Sequence, residues 1–286
     1  MCLTKEQIEF YRQNGFLALP DYFRTAEIEV LMAQLPAVFA EDSPRRILEK
    51  SGAVRTVFAS HVTNEAFRRF SQLARLVAPA RQLLESDVYI HQFKINAKVA
   101  LEGDQWEWHQ DFLYWHKEDG MPAPRVLSIA LFLQEVNDFN GPMLLIPGSH
   151  KEGMIDVSPH EKYSSAMVDA SGQDTHGPIW MPTLTADLKY KIDKQTLAKL
   201  VCKNNICAAT GRAGFVLFFD GNMFHASANN LSPFDRVSVC VAYNSVENPL
   251  HELSNPRPTF LASRDFSPLE TVPDEALLEM RGGSHE

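Results

Sequence analysis
From Val88 to Lys98 (VYIHQFKINAK) apolar and polar positions alternate, and β-branched and aromatic residues are frequent. A period of two places successive side chains on opposite faces, so the stretch predicts a strand with Gln92, Lys94 and Asn96 on one face. Leu127–Leu133, Met143–Ile146, Ile206–Ala209, Phe215–Phe219 and Val237–Tyr243 predict further strands. Turn formers stand between them: Asn140-Gly141-Pro142, Pro147-Gly148 and Gly211. Ahead of Asp87 the period is mostly helical. Thr4 and Gln7 form a capping box before Ile8 and Tyr11, and Gly15 ends that helix. Phe16–Leu19 reads as a strand stopped by Pro20-Asp21. Thr25 caps a longer helix carrying Ile28, Leu31, Met32 and Leu35, and residues 64–86 read as helical with Asn64 as cap.

Many short strands with turn punctuation predict a closed or sandwiched β architecture. The expectation is a mainly β fold with flanking helices, built on a double-stranded β-helix (jelly-roll, cupin-like) core. Residues 1–286 read as a single domain, with 1–86 as mostly helical support and 87–265 as the core. Residues 153–182, rich in Ser, Asp, His and Pro, have no periodicity and are expected to form a lid loop over the substrate. Gln195–Leu200 predicts a short helix, and the tail after Met280 reads as mobile.

The chain has 286 residues, 45% hydrophobic and 22% charged, enough for one large core, and no linker-like stretch divides it. Its net charge of −9 argues against nucleic acid or an anionic membrane as the main partner. It leaves open a small substrate held by a few local cations. There is no signal peptide in MCLTKEQIEFYRQNG and no apolar run of membrane-spanning length, so a cytoplasmic protein is expected. The four cysteines, Cys2, Cys202, Cys207 and Cys240, form no paired framework and read as free thiols.

The candidate chemistry lies at His109-Gln110-Asp111, inside the aromatic stretch WEWHQDFLYWHKEDGMP. Two imidazoles and one carboxylate hold a non-haem Fe(II) on one face and leave positions open for a co-substrate and O2. On a strand, residues i and i+2 share a face, which would offer His109 and Asp111 to one metal. His225, after the apolar run and turn in LFFDGNMF, supplies the third ligand; His116 and His150 compete for that role. Arg236 favours His225: it begins the alternating strand RVSVCVAY with Ser238 on its face, and a guanidinium fork suits a carboxylate. The far carboxylate of 2-oxoglutarate needs such a partner.

Seven blocks in one order carry a resemblance over nearly the whole chain: YIHQFKINAK, WHQDFLYW, EDGMP, NGPMLLIPGSH, LFFDGNMFHAS, SPFDRVSV and RPTFLASRD. The chain resembles the phytanoyl-CoA dioxygenase superfamily of Fe(II)/2-oxoglutarate oxygenases, closest to free L-proline trans-4-hydroxylases and next to ectoine hydroxylases. The resemblance implies His109, Asp111 and His225 as catalytic metal ligands. It implies Arg236, Gln92, Asn96 and Ser227 as contacts to 2-oxoglutarate. Trp115 and Phe219 match aromatic walls beside the substrate, and Arg257 matches a C-terminal arginine that reaches a substrate carboxylate in the ectoine enzymes. Gln110, Leu113 and Tyr114 depart from the ectoine pattern HSDFETWH and agree with the proline-type pocket, which adds Tyr114 to the substrate contacts. His116 stands where the proline-type pattern has Ala. Lys94, on the inner face, needs an anion; the substrate carboxylate and an internal salt bridge are the two candidates.

The resemblance implies a dioxygenase that uses Fe(II), 2-oxoglutarate and O2, with ascorbate as activator, and hydroxylates a free amino acid, L-proline foremost, releasing succinate and CO2. Asp111 favours hydroxylation over halogenation, since related halogenases carry a small residue there. The alternatives are ectoine or another small metabolite as substrate, a metal-binding barrel without catalysis, or a zinc hydrolase with Glu107 as base.

Overall fold
A computed structural model describes residues 2–157, 180–186 and 188–282. Residues 158–179, most of the expected lid, and the last four residues of the tail lie outside the described residues.

The chain opens with α1 (Lys5–Asn14), capped by Thr4 and Gln7 as predicted and closed by Gly15 at φ +78°. β1 (Phe16–Leu19) follows, then α2 (Thr25–Met32) and α3 (Leu35–Ala40). The single helix expected from Thr25 through Leu35 is therefore two, with Pro36 in the first turn of the second. β2 (Arg46–Leu48) and β3 (Val54–Phe58) form an antiparallel pair that the helical reading of residues 1–86 missed. α4 (Ser60–Thr63), α5 (Glu65–Gln72, capped by Asn64) and α6 (Ala74–Leu84) precede β4 (Val88–Lys98), whose bounds match the alternation in the sequence. Next come β5 (Trp106–His109), α7 (Asp111–Asp119), β6 (Val126–Phe132) and β7 (Met143–Leu145). α8 (Lys194–Asn204), β8 (Cys207–Ala209), β9 (Val216–Asp220), β10 (His225–Ser227), β11 (Arg236–Ser245) and α9 (Ala276–Gly282) complete the order.

Two antiparallel sheets result, with strand orders β1-β9-β6-β11-β4-β3-β2 and β5-β10-β7-β8. This is the expected jelly-roll with flanking helices, although three strands from residues 1–86 join the larger sheet. The pleat sorts its side chains. Phe93 and Ile95 of β4 and Val237, Val239 and Val241 of β11 pack with Leu31, Phe67, Phe70, Leu76 and Val77 from the helices. The opposite face of the same strands points between the sheets and is polar. There Asn96 sits opposite Ser238, Lys94 opposite Cys240 and Gln92 opposite Ala242. One strand pair thus serves a helix-covered core on one side and a polar interior on the other. Among the described residues no helix is long and apolar enough to cross a membrane, and the four cysteines are unpaired.

Candidate metal centre
His109 and His225 meet as cross-strand neighbours of β5 and β10, their rings 4.2 Å apart. Asp111 does not lie on that strand. Gln110 is still extended (φ −111°, ψ 128°) and stands as the cap position of α7, so Asp111 opens the helix and the expected i, i+2 pair on one strand becomes a strand end plus a helix start. The carboxylate gains the favourable end of the helix dipole. Asp111 Oδ1 lies 3.6 Å from His109 Nε2, and its Oδ2 lies 3.9 Å from His225 Nε2. Ligand atoms of all three residues fall within 4.8 Å of one another, the one such group among the described residues. His116 and His150, the competing imidazoles, lie elsewhere, against the carbonyls of Met121 and Arg12.

Each imidazole is oriented from behind. His109 Nδ1 faces the Glu107 carbonyl at 2.6 Å, and His225 Nδ1 faces the Met223 carbonyl at 3.0 Å. A ring nitrogen facing a carbonyl must donate, which leaves each Nε2 lone pair aimed inward. Burial, then the neighbouring His109, pulls His225 down to about 3, so it is a neutral donor at neutral pH. Burial pushes the Asp111 carboxyl up, but Lys94 and the two histidines together hold it well below the usual carboxylate range. Its Oδ2 is buried without a hydrogen-bond partner. Two imidazoles with Nε2 facing inward and an anion with a spare oxygen suit a divalent iron. Gln110, between the pair, donates to the carbonyls of Gly153 and Asn222 and accepts from the Ile155 N–H, bracing the turn before His225. An amide placed between two ligand types, His109 and Asp111, is the sequence signal for this brace.

Two compartments flank the triad. The first, about 470 Å³, is lined by Lys94, Asn96, Trp106, His109, Phe219, His225, Ser227, Arg236, Ser238 and Cys240 among others. Arg236 is buried and has no acidic partner among the described residues. It donates to Ser238 Oγ (3.3 Å) and the Gly141 carbonyl (2.5 Å), while its Nε and Ser227 Oγ are unpartnered. Burial pulls this guanidinium down to about 10. The second compartment, about 410 Å³, takes Gln92, Tyr114, Trp115 and Arg257, with Phe58, Leu184 and Leu188 as further walls. Lys94 borders both, its Nζ 3.8 Å from Asp111 Oδ1.

Three placements differ from expectation, the first being Phe219, expected as a wall beside the substrate with Trp115 but lining the first compartment instead. Gln92, expected beside the co-substrate with Asn96, lines the second compartment and donates to the Leu261 carbonyl. Arg257, expected to reach a substrate carboxylate, is held by Asp119 through bonds of 2.6 and 2.7 Å and donates to Thr183 Oγ1. Its charge is already balanced, though it still borders the pocket. Tyr114 is tied as well: its hydroxyl donates to the Tyr190 carbonyl and accepts the Tyr190 N–H. Glu107, the base a hydrolase would need, pairs with Lys191, accepts the Leu188 N–H and borders neither compartment.

Asp220 ends the strand that leads to His225. Burial pushes its carboxyl up to about 6, partly offset by the Asn222 N–H it accepts. A folded-state value above the unfolded one means the contribution to stability is fullest below about pH 4 and is lost as pH rises through about 6. Asp220→Asn keeps the acceptor and removes the charge. It is expected to raise stability at pH 8 by about 1–2 kcal/mol and to leave it unchanged near pH 4. Melting temperatures measured across that range check the sign.

The chain matches the family described as phytanoyl-CoA dioxygenase (PhyH) over residues 11–238. It is 35% identical over 272 residues to an ectoine dioxygenase of Bordetella bronchiseptica, covering 92% of this chain and 83% of that one. It is also 35% identical over 269 residues to an L-proline trans-4-hydroxylase of Streptomyces griseoviridis, covering 93% and 95%. The crystal structure of EctD from S. alaskensis with 2-oxoglutarate and 5-hydroxyectoine superposes with a TM-score of 0.78 at 31% identity, covering 95% of this chain and 88% of that one.

Proposed function
The chain belongs to the phytanoyl-CoA dioxygenase family, and from that premise we propose that it hydroxylates a free amino acid, L-proline at C4 before others. It is an Fe(II)- and 2-oxoglutarate-dependent dioxygenase acting on a small molecule. That sets aside the non-catalytic barrel, and the orientation of Glu107 speaks against the hydrolase. When bound, the iron supplies O2 activation coupled to oxidative decarboxylation of 2-oxoglutarate.

In this reading His109, Asp111 and His225 hold the iron. The observation that carries the assignment is Arg236, a buried guanidinium with no acidic partner among the described residues that shares a compartment with the triad. It receives the far carboxylate of 2-oxoglutarate, with Ser227 and Asn96 as polar neighbours and Phe219 as a wall. The second compartment takes the substrate. Trp115 and Tyr114 wall it, Lys94 offers the charge for a substrate carboxylate once Asp111 is committed to metal, and Gln92 and the Asp119-bound Arg257 complete the polar rim. Gln110, Leu113 and Tyr114 support proline over ectoine, since the ectoine pattern has smaller or acidic residues there. Residues 1–286 act as one domain in this account.

The purified protein with Fe(II), ascorbate, 2-oxoglutarate and L-proline is expected to yield succinate and a product heavier by one oxygen. Ectoine is the second substrate to offer. No turnover of ectoine or of any free amino acid would sink the substrate reading. Arg236→Ala is expected to raise the KM for 2-oxoglutarate about 30-fold or more, the worth of a charge-assisted pair, with a smaller change in kcat. An unchanged KM removes Arg236 from the co-substrate site.

A further inference from the structure
A third cavity, a groove of about 800 Å³, runs outside the smaller sheet, lined by Gln105, Trp106, Trp108, Ile192, Lys194 and Leu197 among others. It shares Trp106, Ala226 and Ser227 with the first compartment, and only Trp106 with the second. We propose that this groove is the passage by which 2-oxoglutarate enters and succinate leaves, with the Trp106 indole as its door. This rests on reading the first compartment as the co-substrate site.

The topology explains why a side chain closes the wall there. Among the described residues β5 is the edge of its sheet, with β10 on one side and no strand on the other. Trp106 is the first residue of β5 and faces Ser227 where the pairing is irregular. Where hydrogen-bonded backbone ends, closure falls to whatever side chain stands at the edge. The half-buried indole borders all three cavities. It packs against the Leu113, Tyr114, Leu188 and Tyr190 cluster, and the Arg55 guanidinium lies 3.7 Å over the ring. Arg55 is itself held by Glu49 (2.9 and 3.1 Å), the Gln105 carbonyl (2.9 Å) and the Leu184 carbonyl (3.1 Å). Leu184 walls the second compartment, so the brace behind the door reaches the substrate side. The groove also has a charge suited to a dicarboxylate. Lys191 is paired with Glu107, but Lys194 has no acidic partner among the described residues, leaving a net positive mouth.

The test measures association and dissociation of 2-oxoglutarate by anaerobic rapid mixing with the Fe(II) protein. Leu197→Trp fills the groove from α8 without touching either compartment. It is expected to slow association and dissociation alike by about tenfold, leaving the equilibrium affinity and the KM for the hydroxylated substrate unchanged. Trp106→Ala is expected to speed both rates by about tenfold and to raise succinate formed without matching product, as water gains entry. Trp106→Phe should restore wild-type rates, which a merely structural role would not require. Melting temperatures of all three variants exclude misfolding as the cause. Wild-type exchange rates in both Leu197→Trp and Trp106→Ala overturn the passage. Failure of the wild-type protein to bind 2-oxoglutarate at all would instead overturn the assignment of the first compartment.

Discussion

Asp111→Ala is expected to lower hydroxylation at least a thousandfold, the equivalent of about 4 kcal/mol in the activation barrier. The carboxylate is the only anion in the triad, and two imidazoles alone have less hold on a divalent ion. The loss also strands Lys94, whose Nζ lies 3.8 Å from Asp111 Oδ1 and which would face a cationic metal without a counter-charge. Two effects therefore act together: weaker iron retention and a repelled metal. Iron content after anaerobic loading and dialysis, measured beside turnover, separates retention from chemistry. Thermal melts are read beside turnover, because the loss also removes the buried carboxylate that faces Lys94 and so costs some stability. A variant that kept both its iron and its rate would remove Asp111 from the centre.

Asp119→Leu is expected to cost about 3–5 kcal/mol of stability, the range for breaking one side of a buried ion pair. Asp119 and Arg257 are both buried and joined by two short hydrogen bonds, and His91 Nε2 lies 3.2 Å from the same carboxylate. Removing the acid leaves a guanidinium in a pocket wall with only the Thr183 hydroxyl as partner. The double change Asp119→Leu with Arg257→Met should recover much of the loss, since neither charge is then stranded. Burial pushes the Asp119 carboxyl up, yet Arg257 and His91 together hold it below its ordinary value. Its contribution is therefore present above about pH 4 and fades as pH falls through the lower folded-state value. The gap between wild type and variant in thermal melts should narrow in acid. A gap that stayed constant down to pH 2 would refute the ionic account.

Local signals in the sequence proved readable where neighbouring residues decide the outcome. The Thr4–Gln7 box, Gly15, the Asn64 cap and the eleven-residue alternation of β4 are settled within a few positions, and each stands as predicted. Misreadings came where packing overrode pattern. DFLYWHKED is rich in aromatics and lacks a clear helical stripe, because α7 is buried on several sides and its Phe112, Leu113, Tyr114 and Trp115 all find apolar neighbours. β2 and β3 are short, and their pairing is visible only once they join the edge of the larger sheet. The same divide holds at the site. That His109, Asp111 and His225 would cluster, with Arg236 in the cavity beside them, was legible because few chemistries use those residue types in that order. The bond between Arg257 and Asp119 spans 138 positions, and the place of Trp106 at a sheet edge needs the topology. No one-dimensional period encodes either.

The nine residues of α7 have a mechanical consequence. Asp111 stands at one end, Asp119 at the other, and Tyr114 and Trp115 between them wall the second compartment. At 1.5 Å per residue this is a rod of about 13 Å, stiff against bending and pinned at its far tip by Arg257. The residue that offers the carboxylate and the aromatic residues that wall the neighbouring compartment therefore belong to one short rigid element, so their spacing is set by helix geometry and not by loop packing.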